Sequence, residues 1–252
     1  MNLNAQFARD GYVVLPDLLP AEACGALRDE AAAIVKGARG PIIGSGDAMS
    51  IDSVLAIHFP HKASALMRAA IGYPCIATLL ADLIGPDVKA MQSMLFFKNA
   101  GKPGQAWHQD EFFIPTRDRS LVGVWIALDD ATVDNGCLWV HPGSHRDGIL
   151  WPMRPHGDPR FDESTEAFDF PYEREGGVAL EVAAGGVVLF NGYLLHRSLD
   201  NRREQGMRRA LVNHYMSARS LLPWWFGGIP TDDFRDVVMV AGDDPYAHKS
   251  VV

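Results

Sequence analysis

The stretch LVGVWIALDDATVDNGCLWVHP, residues 121–142, holds two short runs rich in β-branched and aromatic residues, 121–128 and 136–142, separated by a cluster of Asp, Asn and Gly. Such runs read as strands and such a cluster as a turn. Similar runs recur upstream, as VKAMQSMLFFKN (88–99), and downstream, as GVALEV (177–182), GGVVLFN (185–191) and RRALVNHYMSA (208–218). Nowhere between consecutive runs is there a helical pattern of about 10–15 residues, so the strands are expected to pair antiparallel in a sandwich or barrel rather than in βαβ units. The fold class is mainly β with flanking α-helices.

The helices belong to the first third. GYVVLPDLLP (11–20) reads as a strand, followed by AEACGALRDEAAAIVKGA (21–38), a helix of about 15 residues with Pro20 at its start and Gly37, Gly40 and Pro41 at its end. Residues 61–83 read as one or two helices interrupted by Gly72 and Pro74. The segment Trp151–Gly176 carries four prolines and dense charge and reads as a long loop. It and residues 40–62 are the expected lids. No internal repeat or composition break divides the chain, so residues 1–252 are read as a single domain with an N-terminal helical region and a β core from about residue 88.

Composition excludes several classes. The 252 residues are 48% hydrophobic and 21% charged, which is ample for a core and unlike a disordered chain. A formal charge of -8 argues against a general nucleic-acid or anionic-membrane binder. Cys24, Cys75 and Cys137 lie far apart, without metal or disulfide spacing, and suggest reduced thiols in the cytoplasm. The N-terminus lacks the pattern of a targeting leader, and no run of about 18 apolar residues suggests a membrane span. The aromatic segment Trp224, Trp225 and Phe226 is expected to cover a barrel mouth or to form a dimer contact, leaving monomer or homodimer open.

Of nine histidines, the sharpest context is His108-Gln109-Asp110. In extended chain, residues i and i+2 point to one face, so His108 and Asp110 present an imidazole nitrogen and a carboxylate oxygen to one metal. A third ligand must come from elsewhere, and His196, just after the 185–191 strand, is the best placed candidate. Two His and one carboxylate leave three octahedral positions for a cosubstrate and O2, as in non-haem Fe(II) oxygenases. A Zn hydrolase draws on the same ligand types, and a chance tripeptide is the plainer reading. Phe112 continues the alternation of His108 and Asp110 and is expected to face inward, ahead of Phe113, with Trp107 a further candidate for the cavity lining. A 2-oxo acid cosubstrate needs a cation for its far carboxylate. Arg208 and Arg209 alternate in direction, so one faces inward, and spacing alone does not say which.

These segments resemble the phytanoyl-CoA dioxygenase-like branch of the Fe(II)/2-oxoglutarate oxygenases. The resemblance runs through DGYVVLPDLL, MQSMLFFK, WHQDEFF, VGVWIALDDATVDNGCLWVHPGSHRDG, LFNGYLLHRS and NRREQGMRRALVNHY. It implies a double-stranded β-helix (jelly roll, cupin-like) holding Fe(II) through His108, Asp110 and His196. It also assigns the 2-oxoglutarate arginine to Arg208, with Ser198 on the same carboxylate and Trp125 and Met94 lining the pocket. Gln92 lies one alternation from Met94 on the same strand face. The lysine that several relatives use upstream has no clear match in the stretch with His58, His61 and Lys62. Asp110 occupies the position that halogenating relatives leave to a small residue, which favours hydroxylation.

The implied activity is a 2-oxoglutarate-dependent non-haem iron dioxygenase. It would hydroxylate an unactivated C–H bond of a small organic molecule, with O2 consumed and succinate and CO2 released. A basic rim from Lys98, Asn99, Arg117 and Arg119 would select an anionic substrate; for each of them a solvated strand-end charge is the plainer reading. The competing classes are a cupin-like metal-dependent isomerase or hydrolase, which has no need of Arg208, and a noncatalytic jelly-roll binding module.

Overall fold

A computed structural model describes residues 2–40, 54–220 and 238–245. Part of the 40–62 segment, His248 and the aromatic group Trp224, Trp225 and Phe226 lie outside the described residues. The helices are α1 (Leu3–Asp10), α2 (Ala21–Val35), α3 (Ala65–Ile71), α4 (Pro74–Ile84) and the single turn α5 (Asp110–Phe113). The strands are β1 (Tyr12–Leu15), β2 (Ala56–His58), β3 (Val88–Asn99), β4 (Gln105–His108), β5 (Val122–Ala127), β6 (Leu138–Val140) and β7 (Met153–Pro155). After these come β8 (Thr165–Ala167), β9 (Val178–Leu180), β10 (Val187–Asn191), β11 (His196–Ser198), β12 (Met207–Ser217) and β13 (Val238–Ala241).

Two antiparallel sheets make an open jelly roll. The major sheet runs β1-β10-β5-β12-β3-β13, with β2 also paired to β3, and the minor sheet runs β4-β11-β6-β9. Strand alternation divides the core. Val124, Ile126, Leu189 and Leu211 pack against Leu27, Ile34 and Ile71 of the helices. Their neighbours Trp125, Val188, Phe190 and Val212 turn the other way, to meet Leu138, Val140 and Leu180 of the minor sheet. The helices therefore back the major sheet, and the space between the sheets is left for the site.

The expected strand runs and the helices from residue 21 onward are present. Two helices were not anticipated, α1 and the turn α5. In α1 the Asn2 side chain accepts from the Ala5 N–H, and Gly11 closes the C-terminus in the left-handed region at φ 83°. The segment 151–176 is more ordered than a long loop, because β7 pairs with β8. It is also fastened to the minor sheet: the Arg174 carbonyl accepts from Trp107 Nε1 at 2.7 Å and from Arg197 Nη1 at 2.9 Å.

Candidate metal and cosubstrate site

His108 ends β4 and His196 opens β11, and the two residues are register partners in the minor sheet. Gln109 is extended, with φ -130° and ψ 126°, so Asp110 returns to the face of His108 before the chain turns into α5. The Nε2 atoms of His108 and His196 each lie 3.6 Å from Asp110 Oδ1. One ligand atom from each of the three residues falls within 4.8 Å of the others. Each imidazole is oriented by its own strand. His108 Nδ1 pairs with the Ala106 carbonyl at 2.7 Å and His196 Nδ1 with the Leu194 carbonyl at 3.0 Å. Since a carbonyl only accepts, each Nδ1 is the donor, which turns each Nε2 towards Asp110, the ring orientation a metal ligand needs.

Burial, reinforced by His196, lowers the His108 pKa to about 4. Burial alone would raise the Asp110 carboxyl, yet His196 and His214 outweigh it and hold that group below the usual carboxylate range. A neutral imidazole facing an ionised carboxylate is a donor set that fits a divalent cation.

A cavity of about 590 Å³ opens over this cluster. Gln92, Met94, Trp125, Ser198 and Arg208 all line it together with the three clustered residues. Arg208 is the inward arginine: it is buried, its Nη2 donates to the Gly136 carbonyl at 2.9 Å, and its guanidinium lies 5.5 Å from the Trp125 ring centre. Arg209 faces away and pairs with Asp129 at 2.7 Å.

The region around Arg208 offers donors. Ser198 Oγ accepts from Lys98 Nζ at 2.8 Å and from the Gln105 N–H at 3.3 Å, which fills its two lone pairs and leaves its own proton to be donated. Arg208 Nε is buried without a hydrogen-bond partner among the described residues. Burial lowers the Arg208 pKa to about 10, and burial together with Arg208 pushes Lys98 well below the ordinary lysine value. No ion pair to Lys98 or Arg208 occurs among the described residues. The unpartnered Arg208 Nε and the free Ser198 hydroxyl proton, beside two buried cations that no carboxylate pairs among the described residues, match a carboxylate-bearing ligand.

The alternation contains two further lining residues, His214 and Lys98, the latter read from the sequence only as a rim candidate. Gln92, Met94, Phe96 and Lys98 all line the cavity, as do Arg208, Val212 and His214 on the neighbouring strand. Carrying the period of two along from Met94 and from Arg208 reaches both Lys98 and His214. Lys98 is a buried cavity residue, not a solvated strand-end charge.

Other expectations need correction. Phe113, not Phe112, lines the cavity, because α5 begins at Asp110 and replaces the period of two with a helical turn. Trp107 points to the opposite face of β4, where it stacks on His141 at 4.2 Å and under Arg197 at 4.6 Å. The basic rim is not assembled. Arg119 lies over the Tyr193 ring, and neither it nor Arg117 lines the cavity.

The family model described as "Phytanoyl-CoA dioxygenase (PhyH)" matches residues 7–210. A phytanoyl-CoA dioxygenase of Arabidopsis thaliana is 40% identical over 113 residues, which is 44% of this chain and 38% of that protein. The chain thus matches well under two thirds of the length of that relative. Among solved structures, the non-heme monooxygenase ThoJ superposes with a TM-score of 0.76 at 22% identity, covering 96% of this chain and 85% of that one. The epimerase SnoN, in complex with Fe3+, alpha ketoglutarate and nogalamycin RO, superposes with a TM-score of 0.71 at 24% identity, covering 96% and 95%. Both likenesses concern the fold.

Proposed function

Because this chain belongs to the phytanoyl-CoA dioxygenase family, we propose that it is an Fe(II)- and 2-oxoglutarate-dependent dioxygenase that hydroxylates a C–H bond of a small organic molecule. The observation that carries this reading is one cavity holding both a His-Asp-His cluster and a carboxylate-binding group of donors. His108, Asp110 and His196 would hold the iron. Arg208 and Ser198 would take the far carboxylate of 2-oxoglutarate, while Trp125, Met94 and Gln92 shape the pocket around it. Bound iron and cosubstrate supply the oxidising chemistry, with O2 consumed and succinate and CO2 released.

The chain contributes orientation and exclusion of water. The Ala106 and Leu194 carbonyls fix the two imidazoles. Lys98 fixes the Ser198 hydroxyl as a donor. Leu55, Phe59, Phe113 and Ile114 give the cavity an apolar wall, and Asp162 and Ser164 reach it from the 151–176 segment. That lining suits a substrate with substantial apolar surface and a hydrogen-bonding group, and among the described residues it offers no further cluster of cations for an anion. SnoN pairs iron and alpha ketoglutarate with an epimerase activity, so the outcome at the substrate carbon is the finer part of this proposal.

The test is succinate formation from 2-oxoglutarate by Fe(II)-loaded protein under O2, with and without a panel of small apolar alcohols and amines. The expected result is cosubstrate-dependent succinate that rises with one class and, in Arg208→Met, needs roughly 10–100-fold more 2-oxoglutarate. A metal-dependent reaction indifferent to 2-oxoglutarate and to Arg208 would instead favour the isomerase or hydrolase reading.

A further inference from the structure

Asp110 is held from both sides. Its Oδ1 faces His108 and His196, while its Oδ2 lies 2.8 Å from His214 Nε2. His214 is buried on β12, directly opposite Gln92 of β3, so it belongs to the major sheet. The three clustered residues, by contrast, all come from the minor sheet or from the turn that follows β4. The His214 to Asp110 contact is therefore a bond from one sheet across to the carboxylate carried by the other. It is the one side-chain hydrogen bond to Asp110 among the described residues outside the cluster itself.

Resting on the reading of His108, Asp110 and His196 as metal ligands, we propose that His214 is a positioning residue that makes Asp110 a one-oxygen ligand. An ionised carboxylate accepts only, so Nε2 of His214 is the donor and Oδ2 is held as its acceptor. A carboxylate left free to rotate can offer both oxygens to a metal. That would occupy a position which a two-point chelating cosubstrate and O2 require. The His214 N–H blocks this second mode. Because it reaches from the opposite sheet, it also sets the separation between Asp110 and the floor of the cavity formed by Gln92 and Met94. Partners of this kind, behind a ligand, fix ligand orientation and contribute to metal affinity.

The experiment is Co(II) titration of the full chain, followed through the visible d–d absorption, in wild type, His214→Leu and His214→Gln. Removing the donor in His214→Leu is expected to weaken Co(II) binding by about 10–100-fold and to alter the d–d spectrum. His214→Gln, which returns an N–H at similar reach, is expected to recover most of the affinity and the wild-type band shape. Wild-type affinity and spectrum in His214→Leu would overturn the proposal. So would a Gln variant as weak as Leu when both keep the far-UV circular dichroism of the wild type. Should the Leu variant fail to fold, His214→Asn, whose shorter amide falls short of Oδ2, takes its place with the same expected loss. Absence of Co(II) binding by the wild type would instead overturn the metal-site reading, and this proposal with it.

Discussion

Lys98 and Arg208 face each other in register on β3 and β12, both buried, with no carboxylate paired to either among the described residues. Like charges directly opposite on neighbouring strands repel, and buried charges without a counter-ion are costly. The fold therefore carries an electrostatic cost at this point that a bound anion would relieve.

Replacing either cation by an isosteric apolar residue is expected to separate stability from binding. In Lys98→Met and Arg208→Met, urea denaturation of the metal-free protein should show stability unchanged or raised by about 1–3 kcal/mol. Calorimetric titration with 2-oxoglutarate should show affinity lowered by roughly 10–100-fold, the range of a hydrogen bond to a charged group. A fall in stability with cosubstrate affinity retained would assign these residues to the scaffold.

Anion binding should take up protons. Burial and the neighbouring Arg208 depress the Lys98 pKa. A carboxylate placed beside this ammonium favours its charged form and raises that pKa again. Binding of 2-oxoglutarate is then linked to protonation and weakens as the pH rises above the depressed value. Titration in two buffers of different ionisation enthalpy measures the uptake directly, and the uptake should vanish in Lys98→Met.

Acid should destabilise the metal-free protein before its carboxylates titrate. His108 and His141 are each lowered from 6.5 to about 4, chiefly by burial, with His196 and Arg197 respectively adding to the shift. Between these values the unfolded chain binds protons that the folded chain does not, so stability is fully present above pH 6.5 and is lost as the pH falls towards 4. For His108 the loss is about 3 kcal/mol. Urea midpoints measured between pH 7 and 4.5 should fall steadily, and less steeply in His141→Phe.

Gly104 sets how closely β4 approaches β11. A Cβ at this position would collide with the Ser198 backbone carbonyl. Gly104→Ala should therefore cost about 1–3 kcal/mol, as overpacking does. It should also separate the strands that carry His108 and His196, lowering Co(II) affinity along with the melting temperature. A neutral Gly104→Ala would contradict this close approach.

Much of this arrangement is legible in the sequence, and the exceptions have physical causes. His108 and Asp110 converge as the period of two requires because Gln109 is extended. The same rule fails two residues later, where the chain turns into α5, so Phe112 and Phe113 exchange their expected places. Lys98 and His214 follow from simple alternation, but burying a lysine and a histidine runs against the general preference for exposed charge. The ordering of residues 151–176 depends on contacts distant in sequence. Trp107 and Arg197 both donate to the Arg174 carbonyl, and Glu166 pairs with Arg154 at 2.9 Å and with Arg174 at 2.7 Å. No local pattern announces such contacts.

The central claim is that one cavity binds iron at His108, Asp110 and His196 and 2-oxoglutarate at Arg208 and Ser198. Its most direct test is anaerobic titration of Fe(II)-loaded protein with 2-oxoglutarate, watched for the weak visible metal-to-ligand charge-transfer band. The account predicts a saturable band in the wild type, shifted to higher cosubstrate concentration in Arg208→Met and lost in Asp110→Ala and His108→Ala. A folded, iron-loaded wild type that shows no band at any 2-oxoglutarate concentration would contradict it.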